Sequence, residues 1–348
     1  MATSGSPLVS VVIPVYNGQD TIAHAIRSVL AQTYANFDLT IANNCSTDGT
    51  AAIAEEFARK DPRVRVYNAT EFVSVVDSHN RAFTLIAADA AYCKILGADD
   101  LLFPNCIAEL VAVAEAFPTT AMVSSYMLRD ARVVFDGLPF AGQFWNGRDV
   151  ARRYLLNGLD SFGGPSASLI RANVLRDKRP FYNPRIYHGD TDAYLDIMQR
   201  YDFGFVYQVL SFQRRHLQRT TTTPFLQRVS AGPAQILDLV TRFGPAYLTP
   251  SEFDKRLRQV DRLYYKMLAR SLFEFRGSEF WDFHERSAND LGTGVDRARL
   301  ARYAALYVLD CALNPLNTGF KLANFVASRF ARHERPATSA RPVKPVPR

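Results

Sequence analysis

The sequence predicts an α/β fold, a mainly parallel sheet flanked by helices and followed by a helical C-terminal region. Three observations carry this. From Leu8, short β-branched runs alternate with stretches of helical period, the pattern of successive βαβ units. A carboxylate pair, Asp99-Asp100, follows directly on a strand, at the edge where open α/β sheets bind ligands. Beyond Pro250 the strand pattern gives way to amphipathic helix, with Leu257, Val260, Leu263, Tyr264 and Met267 at helix spacing.

The elements follow in order. A strand over Val9–Ile13 is expected to stop at Pro14, and a helix from about Thr21 to Gln32 takes Asp20 as its N-cap and buries Ile22, Ile26, Val29 and Leu30. The second strand, Phe37–Ala42, runs into Asn43-Asn44-Cys45-Ser46-Thr47-Asp48-Gly49-Thr50, dense in turn and cap residues, and then a helix through Phe57. A strand over Arg63–Tyr67 and a helix near Ser78–Ala88 precede the strand Tyr92–Leu96, which ends in Gly97-Ala98-Asp99-Asp100. After Pro104 come a helix to about Phe117 and a strand near Ala121–Ser125. The order is then less regular: a helix near Arg148–Leu156, a Gly163-Gly164-Pro165 turn, a strand over Ser166–Ile170 and a helix starting near Asp192. A turn at Thr220–Pro224 suggests three regions: 1–225, a helical 226–333, and a basic, proline-rich, disordered 334–348.

At 348 residues, 48% hydrophobic and 22% charged, the chain can bury one large core or two smaller ones. Its start lacks a basic signal-peptide region, and no run reaches the ~18 apolar residues of a membrane span. The expectation is a cytoplasmic protein. The four cysteines make no CxxC pair, and the six histidines no HExxH, so a metal would need oxygen ligands. The net charge of +7 lies mostly in Val326–Arg348, with six Lys or Arg against one Glu. That tail could rest on the anionic inner face of a membrane or merely solubilise the chain. The rest is nearly balanced, and no nucleic-acid partner is expected. Neither GxGxxG nor GxxxxGK[ST] follows the first strand, which excludes a dinucleotide fingerprint and a P-loop. Phosphates would instead meet a hard divalent cation, Mg²⁺ or Mn²⁺, on the Asp99-Asp100 carboxylates.

Four segments in order, Ser10–Asn17, Ser28–Tyr34, Ser46–Thr50 and Ala98–Asp100, resemble glycosyltransferase family 2. The resemblance covers about residues 8 to 216 and implies a GT-A fold and a nucleotide-diphosphate sugar donor. It implies that Pro14, Tyr16 and Asn17 line the nucleotide pocket, Tyr16 near the base or ribose, unless Pro14 and Asn17 only end a strand and cap a helix. Asn43 and Asn44 stand where many members carry an acidic residue for uracil or ribose. An amide donates as well as accepts, so base preference could differ. Of the family's Asp-x-Asp metal motif, Gly97 lacks the first acid, Asp99 is the ligand and Asp100 holds metal-bound water or orients the loop.

The resemblance also assigns the acceptor side. Asp190, in His188-Gly189-Asp190-Thr191-Asp192, aligns with the family's catalytic base, with Asp192 as its competitor and a helix cap as the plainer role for either. Gly163, Gly164 and Pro165 resemble the acceptor-side loop, or an ordinary turn. Arg214 and Arg215 would bind the diphosphate, guanidinium being suited to bidentate phosphate contact, and His216 could complete the metal site. Asn80 and Arg81 match a weaker position, more often structural. The implied activity is inverting transfer of a sugar to a hydroxyl of a saccharide or lipid-linked acceptor in surface polysaccharide or glycolipid synthesis. The alternatives are a catalytically silent nucleotide- or carbohydrate-binding scaffold and a sugar nucleotidyltransferase; the latter would want a Gly- and Lys-rich loop after the first strand.

Overall fold

The computed structural model describes residues 5–158, 162–186, 188–214 and 223–314. Ten strands among them form one sheet: β1 (Val9–Val15), β2 (Phe37–Asn43), β3 (Val64–Asn68), β4 (Tyr92–Ile95), β5 (Asp100–Leu102), β6 (Thr120–Arg129), β7 (Arg132–Val134), β8 (Phe144–Trp145), β9 (Leu169–Arg171) and β10 (Asp202–Gln213). Their order is β3-β2-β1-β4-β9-β6-β10-β5, with β7 beside β6 and β8 beside β10. β3, β2, β1 and β4 run parallel, and β9 is antiparallel to both β4 and β6.

Both faces of the sheet are covered, which is why β1 is buried along its whole length rather than alternating. Val9, Val11 and Ile13 share a core with α1 (Ile22–Leu30) and α4 (Cys106–Ala116), and α2 (Thr50–Lys60) adds Ala54. Val12 belongs to the opposite core, with α3 (Val75–Thr84), α5 (Gly147–Asn157), α6 (Ala172–Asp177), α7 (Gly189–Ile197) and α9 (Gly232–Tyr247).

Several expectations are corrected. Pro14 does not end β1; it pairs in register with Ala42. The carbonyls of Val12 and Val15 point to opposite neighbours, Val12 toward the β4 side and Val15 toward the β2 side. Pro14, in phase with Val12, turns its missing N–H toward β4, whose pairing with β1 has already ended at Ile95. Thr21, not Asp20, is the N-cap residue of α1. α3 starts at Val75 because the Ser74 hydroxyl accepts from the Asp77 amide at 3.1 Å. The strand expected at Ser166 is a 3₁₀ turn over Pro165–Ala167, with β9 beginning only at Leu169. α7 starts at Gly189 rather than Asp192. β5, β7, β8 and β10 went unrecognised.

Two compact units divide the chain at Val260/Asp261, within α10 (Pro250–Phe273). In the first unit Leu239, Val240, Phe243, Tyr247 and Val260 belong to the same core as β4 and α7. The second holds the end of α10, α11 (Ser278–Asp290) and α12 (Arg297–Leu313), with His284 buried among the rings of Tyr264, Phe280 and Phe283. Among the described residues no helix is long and apolar enough to cross a membrane. The basic tail lies outside them.

Candidate active site

β1 has β2 on one side and β4 on the other, so the loops leaving β1 and β4 are neighbours at the C-terminal edge, where strand order reverses. A Cβ on Gly18 would stand 3.8 Å from the Ala98 Cβ. The first loop is tied down by the polar run after β2. Asn17, with φ +50°, donates its amide to Ser46 Oγ at 2.9 Å and accepts from the Thr47 amide at 2.8 Å. Gly18 and Gln19 donate their amides to Thr50 and Asp48. Ser46, Thr47 and Asp48 therefore serve as turn fasteners. Tyr16, 40% exposed, meets the exposed ring of Phe72 with centroids 4.8 Å apart, an open aromatic surface at this edge.

Asn43 and Asn44 are buried and engaged within the fold. Asn43 donates to Asn68 Oδ1 at 2.8 Å and accepts from the Ser46 amide at 3.1 Å. Asn44 forms a two-bond clamp with the main chain of Val73, at 2.9 and 3.1 Å. These amides hold the loops together.

Asp99 is partly exposed and Asp100 buried at 3%, with Asp100 Oδ2 accepting from the Ser166 hydroxyl at 2.6 Å. A Cβ placed on Gly97 would lie 2.9 Å from Asp100 Oδ2 and 3.2 Å from Asp99 Oδ1. Both carboxylates thus border the space where the absent acid of the motif would stand. Carboxylate oxygens are the hard donors that suit Mg²⁺ or Mn²⁺, which complete their shells with water and phosphate oxygens, and these two already crowd the place a side chain at 97 would take. Among the described residues no third His, Cys, Asp or Glu joins them. Beneath the loop lies Lys94, wholly buried, donating to the carbonyls of Ser166 at 2.6 Å, Ser168 at 3.1 Å and Ile95 at 3.4 Å. Burial pushes its ammonium below the ordinary range, and neighbours including Asp100 oppose that. Sequence reasoning passed over Lys94, although a lysine inside the apolar run Tyr92–Leu96 was a legible signal.

At α7 the two aspartates separate. Asp192 is buried and bonds Arg242 of α9 at 2.5 Å; Arg242 also grips Asp238, which His188 Nε2 meets at 2.7 Å. Asp190 stays partly exposed, accepting from the Thr191 amide at 2.8 Å. His79 of α3 lies within its electrostatic reach. Loss of water pushes the His79 imidazole down, against its 2.8 Å contact with the Val75 carbonyl and the Asp190 charge.

The remaining positions are placed as follows. Gly163 has φ +80°, and a Cβ there would come within 2.2 Å of Ser124 Oγ, so packing alone demands glycine. Gly164 precedes the 3₁₀ turn that Pro165 opens. Arg214 is one residue beyond Gln213, the partner of Asp100 in the antiparallel β10–β5 pair. Arg215 and His216 lie outside the described residues. Asn80 exchanges two 2.8 Å bonds with the main chain of Tyr182, a structural clamp, and Arg81 bonds the Glu71 carbonyl.

Residues 10–178 match the family model described as Glycosyl transferase family 2. TuaG of Bacillus subtilis, provisionally named a teichuronic acid biosynthesis glycosyltransferase, is 36% identical over 98 residues, 28% of this chain and 38% of that protein. The chain spans from 18% to 55% of the length of four curated relatives, TuaG among them. Residues 1–349 of S. aureus TarS, solved with UDP-GlcNAc, share the fold at a TM-score of 0.60 and 14% identity, over 81% of this chain and 80% of that one. The Pyrobaculum calidifontis mannosyltransferase PcManGT, solved with GDP-Man and Mn²⁺, does so at 0.53 and 15%, over 94% and 87%. With the family motifs in order on a GT-A sheet, residues 10–178 of this chain are a glycosyl transferase family 2 domain.

Proposed function

We propose that this chain moves a hexosyl group from a nucleotide-diphosphate sugar to a hydroxyl of a saccharide or lipid-linked acceptor, with inversion at the anomeric carbon. One observation carries the reading: of the two carboxylates opening α7, Asp192 is consumed by Arg242 and Asp190 is left open to a substrate. Asp190 takes the proton of the acceptor hydroxyl on a carboxylate oxygen. The hydroxyl oxygen bonds the anomeric carbon while the bond from that carbon to the diphosphate oxygen breaks, its electron pair leaving with the nucleoside diphosphate. A single displacement of this kind inverts the configuration.

Arg214 offers its guanidinium to the diphosphate, and Tyr16 with Phe72 offers ring surface to the base or ribose. Asp99, with Asp100, would hold Mg²⁺ or Mn²⁺, which when bound neutralises charge on the leaving diphosphate. The ligands solved with TarS and PcManGT make uridine and guanosine donors the first to try. Surface polysaccharide or glycolipid synthesis on the cytoplasmic side of a membrane is the setting we propose.

The test is a panel of UDP-, GDP- and dTDP-sugars with Mn²⁺ or Mg²⁺ and simple saccharide acceptors, read by nucleoside diphosphate release and by NMR of the product anomer. Inverted product from one donor is expected. Retained configuration, or no transfer from any donor, overturns the proposal.

A further inference from the structure

Ser166 makes two bonds in opposite directions. Its carbonyl accepts from the buried Lys94 ammonium at 2.6 Å, and its hydroxyl donates to Asp100 Oδ2 at 2.6 Å while accepting from the Gly97 amide at 2.9 Å. Lys94 also holds the Ser168 carbonyl, and Ser168 Oγ donates to the Gly164 carbonyl. An ammonium has three protons, and Lys94 spends them on main-chain oxygens alone, so a positive charge sits under the carboxylate loop without ion-pairing to it directly.

We infer that Lys94 is a positioning residue, which through Ser166 sets the Asp100 carboxylate and locks loop 97–100 to the glycine turn 163–168. The charge and the serine thereby do the orienting that a third acid at position 97 would otherwise share. This rests on the functional reading only for its consequence: donor and acceptor loops are held in one register.

The experiment compares wild type with Lys94→Met and Ser166→Ala. The second variant keeps the Lys94-to-carbonyl bonds and cuts only the links to Asp100 and Gly97. Amide hydrogen exchange at residues 97–100 and 163–168 is read without any ligand; the Mn²⁺ needed for half-maximal UDP or GDP binding is read by thermal shift. In folded variants we expect exchange at Gly97 to speed up at least tenfold and the Mn²⁺ requirement to rise about 10- to 100-fold. Stability measured at a site remote from these loops should fall less in Ser166→Ala than in Lys94→Met. Wild-type exchange at residues 97–100 in a folded Ser166→Ala protein overturns the link, whatever Lys94→Met does. A wild-type protein that binds no nucleotide would sink the functional reading, and the exchange result would still decide this one.

Discussion

Arg242 on α9 reaches Asp192 on α7 at 2.5 Å and pairs one of two neighbouring carboxylates, while the other, Asp190, stays partly exposed. Asp190→Asn should then cut sugar transfer by about 10²–10⁴ while leaving the melting temperature near wild type. Asp192→Asn should act the other way, lowering stability by about 1–3 kcal/mol through the lost buried bond, with activity per folded molecule largely kept. Urea melts and initial rates on both variants check this; near-normal transfer by Asp190→Asn would remove it as the base.

The same cluster makes stability depend on pH. Burial alone would raise the Asp238 carboxyl, but hydrogen bonds from His188 and Arg242 outweigh it and hold the group at about 2, below its ordinary 3.8. The folded value is the depressed one, so the stabilisation is complete above the ordinary value and is lost as pH falls from 3.8 through about 2. It is on the order of 2 kcal/mol. Denaturant melts of wild type and Asp238→Asn should converge as the pH drops through that window. A gap that stays constant would contradict the assignment.

On the proposed assignment Asp99 and Asp100 would supply few protein ligands, so metal and nucleotide should bind as a pair. Mn²⁺ alone is expected to shift the melting temperature little, whereas a nucleoside diphosphate with Mn²⁺ at about 100 times its dissociation constant adds roughly 2.7 kcal/mol. EDTA or Asp99→Asn should abolish that gain. A full shift with nucleotide in EDTA would show that the carboxylates are not needed for binding.

Asn44 gives a separate prediction. Because its amide is closed in a clamp on Val73, Asn44→Ala should destabilise the fold by about 1–3 kcal/mol and leave the ranking of UDP, GDP and dTDP unchanged. A changed ranking in the folded variant would place the side chain at the base after all.

Much of the fold was legible from local pattern. The β-branched runs at Val9 and Phe37 report burial on two faces, the run at Arg63 a more exposed strand, and the structure returns all three, with the helices between them, with shifts of a few residues. Boundaries moved where a single bond decides them: Ser74 starts α3 early, and Pro14 continues β1 because the strand beside it has stopped. β10 escaped notice because Asp202–Gln213 mixes polar and aromatic residues without strict alternation, and β5 because three residues carry no period.

By itself the sequence determined the chemistry available: a paired Asp99-Asp100 after a strand, aspartates at 190 and 192 opening a helix, glycines at the turns and no phosphate loop. Those are statements about residue type and spacing along the chain. Only the tertiary structure decided which groups are spent and which are open. Asn43, Asn44, Asp48 and Asp192 read as candidates or caps until their partners, brought from residues 17 to 73 and from α9, are seen to satisfy them. The physical reason is that a buried polar group must find a partner, and partners distant in sequence are chosen by packing rather than by neighbours in the chain.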